Sequence, residues 1–238
     1  DPSLVLAPPP PPGADFTFAF NGINQSIETD LTGAKFAGDE FTIEYWFKGK
    51  RLQSAVRLQG GERWVVSGWS QPPRNIVNVD GVNKELGISS TFPGVQDGLW
   101  HHVALTWKRN TTGGFQSYYD GDGGGNSEKT PDVPFPVVDA KVFLGSFLGS
   151  SEYLEGMLDE VAIWNRALSK DEIKAHYQSK ARLFGFEPGL IAYYPFNDFD
   201  TVGPRNVVTG QNARFINMSG AQQQVQDGLK LTDPQPIR

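Results

Sequence analysis

Gly156-Met-Leu-Asp159-Glu160-Val-Ala-Ile-Trp164-Asn165-Arg166-Ala-Leu-Ser169-Lys-Asp-Glu172-Ile173 runs a strand pattern directly into a capped helix, and its reading decides the fold. Side chains alternate along a strand, so Leu158, Glu160, Ala162 and Trp164 are expected on one sheet face and Met157, Asp159, Val161 and Ile163 on the other. Ser169 and Glu172 then form an S-x-x-E capping box, which predicts one short helix over 170–177. Upstream, Phe41, Ile43, Tyr45 and Phe47 alternate with Thr42, Glu44, Trp46 and Lys48, and Val103, Leu105 and Trp107 share a face after Trp100-His101-His102.

Working outward, strand patterns precede and follow these two. Phe16, Phe18 and Phe20 alternate into an Asn21-Gly22 turn, and Ala55–Leu58 and Arg63–Ser67 form a hairpin about Gly60-Gly61. Ile76–Val79 and Glu85–Ser89 form another about Asp80-Gly81, Gln116–Tyr119 follows Gly113-Gly114, and Lys141–Phe147 resumes strand character. Between the last two, Asp120-Gly-Asp122-Gly-Gly-Gly-Asn126 reads as a turn leading into a flexible excursion through the prolines of 131–136. It is not an EF-hand, because the twelfth position, which needs a bidentate Glu, is Pro131. After the helix, Gly189–Asn197 reads as a strand, with weaker ones at Ala213–Asn217 and Gly228–Leu231.

Composition agrees with many short strands. The 238 residues hold 27 glycines, 17 prolines and 12% aromatic residues, with two methionines. A net charge of −6 without a Lys/Arg run excludes the electrostatic footprint of a nucleic-acid binder. The absence of cysteine removes disulfides, thiol nucleophiles and thiolate metal sites, and three histidines leave little for zinc. No apolar run approaches the roughly 18 residues of a membrane span, so membrane insertion is not expected. The first residues lack the regions of a signal peptide, which reads as a processed or excised piece. Pro8–Pro12 should form a polyproline II spacer, so residues 1–14 read as a linker.

Together, the strand-to-helix phrase, Phe41–Phe47 and Gly98–Trp107 resemble the laminin-G-like branch of the concanavalin A-like superfamily. The resemblance covers roughly residues 15–180. It implies an all-β fold, a two-sheet antiparallel jelly-roll sandwich occupying residues 15–186. Residues 187–238 pose a question, because the phrase Gly189-Leu-Ile-Ala-Tyr-Tyr-Pro-Phe196 usually opens a domain in that family and here follows the closing helix. The tail either completes the same sandwich, opens a further repeat, or pairs with a neighbouring molecule.

What the resemblance implies for function is recognition: an extracellular or cell-surface module binding glycan or protein. It also implies a structural Ca2+ between the Asn21-Gly22 corner and Asp159, although Asn21 stands where Asp is commoner. From residue types alone, Trp64, Trp69, Gln71 and Asn75 supply an aromatic platform with amides for a sugar. Asn24, Asn110 and Asn217 head glycosylation sequons. Two other readings compete: a building block of a surface fibre that self-assembles through its tail, and a divergent glycan-active enzyme. For the enzyme, Glu155 and Asp159 would lie about 13 Å apart on one strand, beyond both hydrolytic spacings. His101 and His102 point to opposite faces and cannot readily share an ion.

Overall fold

The computed structural model describes residues 16–32, 35, 38–69, 73–87, 94–125, 127–134, 140–218, 224–225 and 229. The proline run, Gln71 and most of 228–231 lie outside them. Fifteen strands and one α-helix occur among the described residues. The strands are β1 (Thr17–Asn21), β2 (Ser26–Thr32), β3 (Glu40–Arg51), β4 (Val56–Gly60), β5 (Arg63–Trp69), β6 (Arg74–Val79), β7 (Val82–Gly87) and β8 (Trp100–Lys108). There follow β9 (Phe115–Tyr119), β10 (Asp122–Gly125), β11 (Lys141–Leu144), β12 (Glu155–Trp164), α1 (Lys170–Ser179), β13 (Leu190–Tyr194), β14 (Arg214–Ile216) and β15 (Gln224–Val225).

These strands form two antiparallel sheets. The first runs β10-β9-β8-β3-β12-β1-β15, with β13 also on β12, and the second runs β14-β2-β11-β4-β5-β6-β7. Between them the alternation of β3 buries Phe41, Ile43, Tyr45 and Phe47, joined by Val103, Leu105 and Trp107 of β8. Ile27, Leu31, Val56, Leu58, Val65, Val77, Val142 and Leu144 meet them from the second sheet. Helix α1 lies on the other face of the first sheet, where Ile173 packs with Ala104, Tyr118, Ala162, Trp164 and Tyr193. Its capping box is complete: Glu172 N–H donates to Ser169 Oγ at 3.2 Å, and Ser169 N–H donates to Glu172 Oε2 at 2.8 Å.

Simple alternation fails once in the deciding strand. Along β12 the partner of Asp159 is Trp46 and the partner of Ala162 is Glu44, so the bulge inserts an extra residue. Glu160 takes φ +52° there. As a result Leu158 shares the inter-sheet core with Val161 and Ile163, while Ala162 and Trp164 lie under α1. The bulge also divides one edge of β12 between two partners, β1 along Glu155–Leu158 and β13 along Val161–Trp164.

The tail pairs within the chain. β13 lies on β12, β14 on β2 and β15 on β1. Buried Asn206 ties it further: its Oδ1 accepts from Tyr193 N–H and Val208 N–H at 3.1 Å, and its Nδ2 donates to Asp30 Oδ1 at 3.0 Å. Asp30 also accepts from Thr209 Oγ1 at 2.7 Å and from Tyr194 OH. Strand β2, polar on one face, carries no strong sequence signal. The expected excursion after Asp120-Gly121 is instead strand β10, because φ values of +49° and +74° at the two turn residues close a tight hairpin onto β9.

Candidate functional site

Register determines what the second sheet presents outward. Residues directly paired across strands share a face, so Phe143, Arg57, Val66, Ile76 and Glu85 form one row on the face turned away from the first sheet, the first four of them buried. Lys141, Gln59, Trp64, Asn78 and Asn83 form the next. At the end of β5 the pairing jumps from Ser67–Asn75 to Trp69–Arg74. Gly68, at φ +79°, is the extra residue of this bulge. It turns Trp69 to the outward face of Arg74, so Trp64 and Trp69, five apart and therefore opposed in a regular strand, stand on one surface.

Arg57 is the centre of this surface. Its guanidinium carbon lies 4.2 Å from the Trp64 ring centre and 4.4 Å from that of Phe147, a cation held between two aromatic faces. Nη2 donates to Gln59 Oε1 at 3.1 Å. Neighbouring charges are matched: Arg74 pairs with Glu85 at 2.8 Å, and Glu28 with Lys141 at 3.0 Å and with Arg214. Asn78 donates to Asn83 Oδ1 at 2.6 Å.

The other sequence candidates are placed apart. Asn75 faces inward and is fully buried. Its Oδ1 accepts from Ser67 Oγ at 2.6 Å and its Nδ2 donates to Ser117 Oγ at 2.9 Å, while Tyr45 OH donates to Ser67 Oγ at 2.7 Å. It is a strut between the sheets, and no ligand on the outer surface meets it. Asn21 pairs with Glu155. Its Oδ1 accepts from Ile23 N–H at 2.9 Å and Asn24 N–H at 3.2 Å, and Gly22 N–H donates to Leu154 C=O at 2.8 Å. Asp159 sits four residues farther along β12, fully buried, its Oδ1 accepting from Glu160 N–H at 2.8 Å. Asn21, Gly22 and Asp159 therefore do not fit a shared cation, and no group of three metal-ligating side chains occurs among the described residues. Asn24, Asn110 and Asn217 are all exposed, and Asn217 Nδ2 donates to the Asn24 carbonyl at 3.1 Å.

A second polar cluster lies beneath α1. Buried Glu44 accepts from Trp164 Nε1 at 2.9 Å and faces His176 Nδ1 at 3.1 Å and His102 Nε2 at 3.4 Å. Burial alone would raise the Glu44 carboxyl, but the charge and hydrogen bonds of His176 and His102 outweigh it and hold the group well below the usual carboxylate range. Burial lowers His176, and Glu44 more than reverses this, leaving it raised. Trp46, Glu160, Ala162, Ala181, Leu183 and Tyr193 line the rest of a cavity of about 20 Å³, room for a water. On this geometry the cluster anchors the helix. Neither it nor His101, held between Asp97 at 3.0 Å and Asp120 at 2.8 Å, stood out as a fixed arrangement in the sequence.

Two antiparallel sheets packed face to face, with a helix behind one, define a lectin-like β-sandwich. Residues 21–174, more than half of the chain, match the family model Laminin_G_3, described as the concanavalin A-like lectin/glucanases superfamily. The chain belongs to this family, whose members and neighbours are mostly binding domains. Neuronal pentraxin-1 of Rattus norvegicus is 29% identical in an alignment 147 positions long that covers 56% of this chain and 32% of that protein. The chain thus spans about a third of the length of the neuronal pentraxins it matches. Among solved structures, a putative carbohydrate binding protein from Bacteroides ovatus aligns with a TM-score of 0.63 at 18% identity, over 86% of this chain and 59% of that one. The SAP-like pentraxin of Limulus polyphemus aligns at 0.51 and 15% identity, over 69% and 82%. These two likenesses establish the fold.

Proposed function

We propose that this chain is a non-catalytic recognition module of an extracellular or cell-surface protein, and that it binds a glycan through the outward face of β4–β6. The observation that carries this reading is the bulge at Gly68, which brings Trp64 and Trp69 to one surface beside the stacked Arg57. Tryptophan faces offer apolar area to the C–H face of a sugar, and adjacent polar groups fix its orientation. Family membership supports binding, since the family's members and this chain's neighbours are mostly binding domains.

A glycan array run with and without calcium tests the assignment. Binding by the intact chain that falls at least tenfold in Trp64→Ala and Trp69→Ala, with circular dichroism unchanged, is the expected result. Retention of every signal in both variants would move recognition to another surface. Loss of binding on calcium removal would reveal a cation site outside the Asn21, Gly22 and Asp159 set.

A further inference from the structure

Helix α1 covers the outer face of the first sheet with little apolar contact. Of its ten residues only Ile173 is buried. Tyr177 stacks on Trp46 with ring centres 5.8 Å apart, and His176 stacks on Trp164 at 5.8 Å. The pair of Lys170 with Asp122 has both partners exposed and contributes little. What remains is the buried carboxylate of Glu44, which faces His176 Nδ1 at 3.1 Å from beneath the helix. The Glu44 side chain is 4% exposed and that of His176 28%, so the imidazole reaches solvent and the carboxylate does not.

Removing the cation of a buried ion pair leaves its anion uncompensated, which is strongly destabilising. A neutral imidazole can still donate a hydrogen bond to Glu44 but supplies no charge. His176 also sits in the last turn of α1, where the helix dipole favours a cation. The other titratable and charged groups around it are His102 on β8, Glu160 on β12 with its partner Arg182, Tyr193 on β13, Glu187 before β13 and Glu172 on α1 itself. Arg182 is engaged by Glu160 at 3.1 Å, and Tyr193 OH donates to the same carboxylate. We propose that α1 is a proton-controlled cover: while His176 is charged the helix stays down on Trp46, Trp164 and Tyr193, and loss of that proton lets it lift while the two-sheet core stays folded. Burial lowers the imidazole, but Glu44 first, then Glu172 and Glu187, outweigh it and leave it above its ordinary 6.5. The docked helix therefore gains from the proton below that pH and loses the gain as pH climbs through the raised value. A ten-residue helix is marginal on its own in water, so lifting also frees its backbone hydrogen bonds. The device stands apart from the glycan reading, whose face lies on the other sheet.

Native-state hydrogen exchange of the full chain tests this. The amides of 173–179 should be protected at least tenfold less than those of β3 and β12, and low urea should leave their exchange unchanged while it speeds that of the strands, the mark of a local opening. Between about pH 6 and 8.5, corrected for intrinsic rates, their protection should fall about tenfold for each unit by which docking raises His176. His176→Gln, which keeps a donor toward Glu44 without the charge, should abolish that fall. Should the variant not fold, the ring resonances of His176 in the native chain give the same reading: a midpoint above 6.5, at the pH where the fall in protection levels off. Exchange of helix and strands at one rate with one urea dependence, protection of 173–179 that does not change with pH, an unaltered fall in His176→Gln, or a His176 midpoint at or below 6.5 would each overturn the proposal.

Discussion

Asn75 spends its amide inside the sandwich, linking Ser67 of one sheet to Ser117 of the other, with Tyr45 completing the relay. Removing a partner from such a network strands the remaining buried donors and acceptors, which costs more than the net value of the bonds lost. Asn75→Ala should lower unfolding free energy by about 1–3 kcal/mol in urea titration and leave glycan affinity unchanged. A folded variant with weakened binding would put Asn75 back among the ligand contacts. Residue type marked Asn75 and Trp64 equally as sugar-binding candidates. Only their register, Asn75 opposite Ser67 and Trp64 opposite Asn78, sends one inward and the other outward.

Two bulges set the character of the elements around them. In β12 the extra residue at Asp159–Glu160 exchanges the faces of everything after it, giving Val161 and Ile163 to the core and Trp164 to the helix layer. In β5, Gly68 does the same for Trp69, and its conformation is one that a Cβ resists. An added Cβ would lie 2.6 Å from Leu52 Cγ as well. Gly68→Ala is therefore expected to cost about 2–3 kcal/mol and to weaken ligand binding together with stability, read by thermal melts and array signal. Wild-type stability with wild-type binding would mean that the bulge does not position Trp69. The strands flanking these bulges were legible from alternation, and α1 from its capping box, because both are local. The bulges were not, since a register slip is stabilised by the partner strand. Arg57 was within reach of the sequence: a two-residue turn at Gly61–Glu62 sets Gln59 against Trp64, and alternation then puts Arg57 on the same face.

At the scale of the molecule, the tail is structural. A chain shortened to residues 1–186 loses β13, β14 and β15 and strips Asp30 of its bonds from Asn206, Thr209 and Tyr194. It should lose cooperative thermal unfolding, and a sharp transition near that of the whole chain would show the tail to be dispensable. Stability should also peak in mildly acidic solution. His176 beside Glu44, and His101 between Asp97 and Asp120, are raised above the ordinary 6.5, so their contribution is complete below about that pH and is lost as pH climbs through the raised values. Glu44 is depressed from 4.5, so its contribution is present above that pH and fades as pH falls. Midpoints measured across pH should be highest between about 4.5 and 6.5, and His176→Gln should flatten the alkaline side. Midpoints that rise from pH 6.5 to 8 would contradict the assignment of these histidines.

The sequence by itself determined the layers: alternating apolar residues every second position can be satisfied only by half-buried strands, and a capping box followed by a short polar helix ends the pattern wherever it folds. Which outward residues gather into a surface was decided by the tertiary structure. That choice depends on strand register and on two extra residues at positive φ, Glu160 and Gly68, whose placement is fixed against partner strands, and no local pattern carries that information.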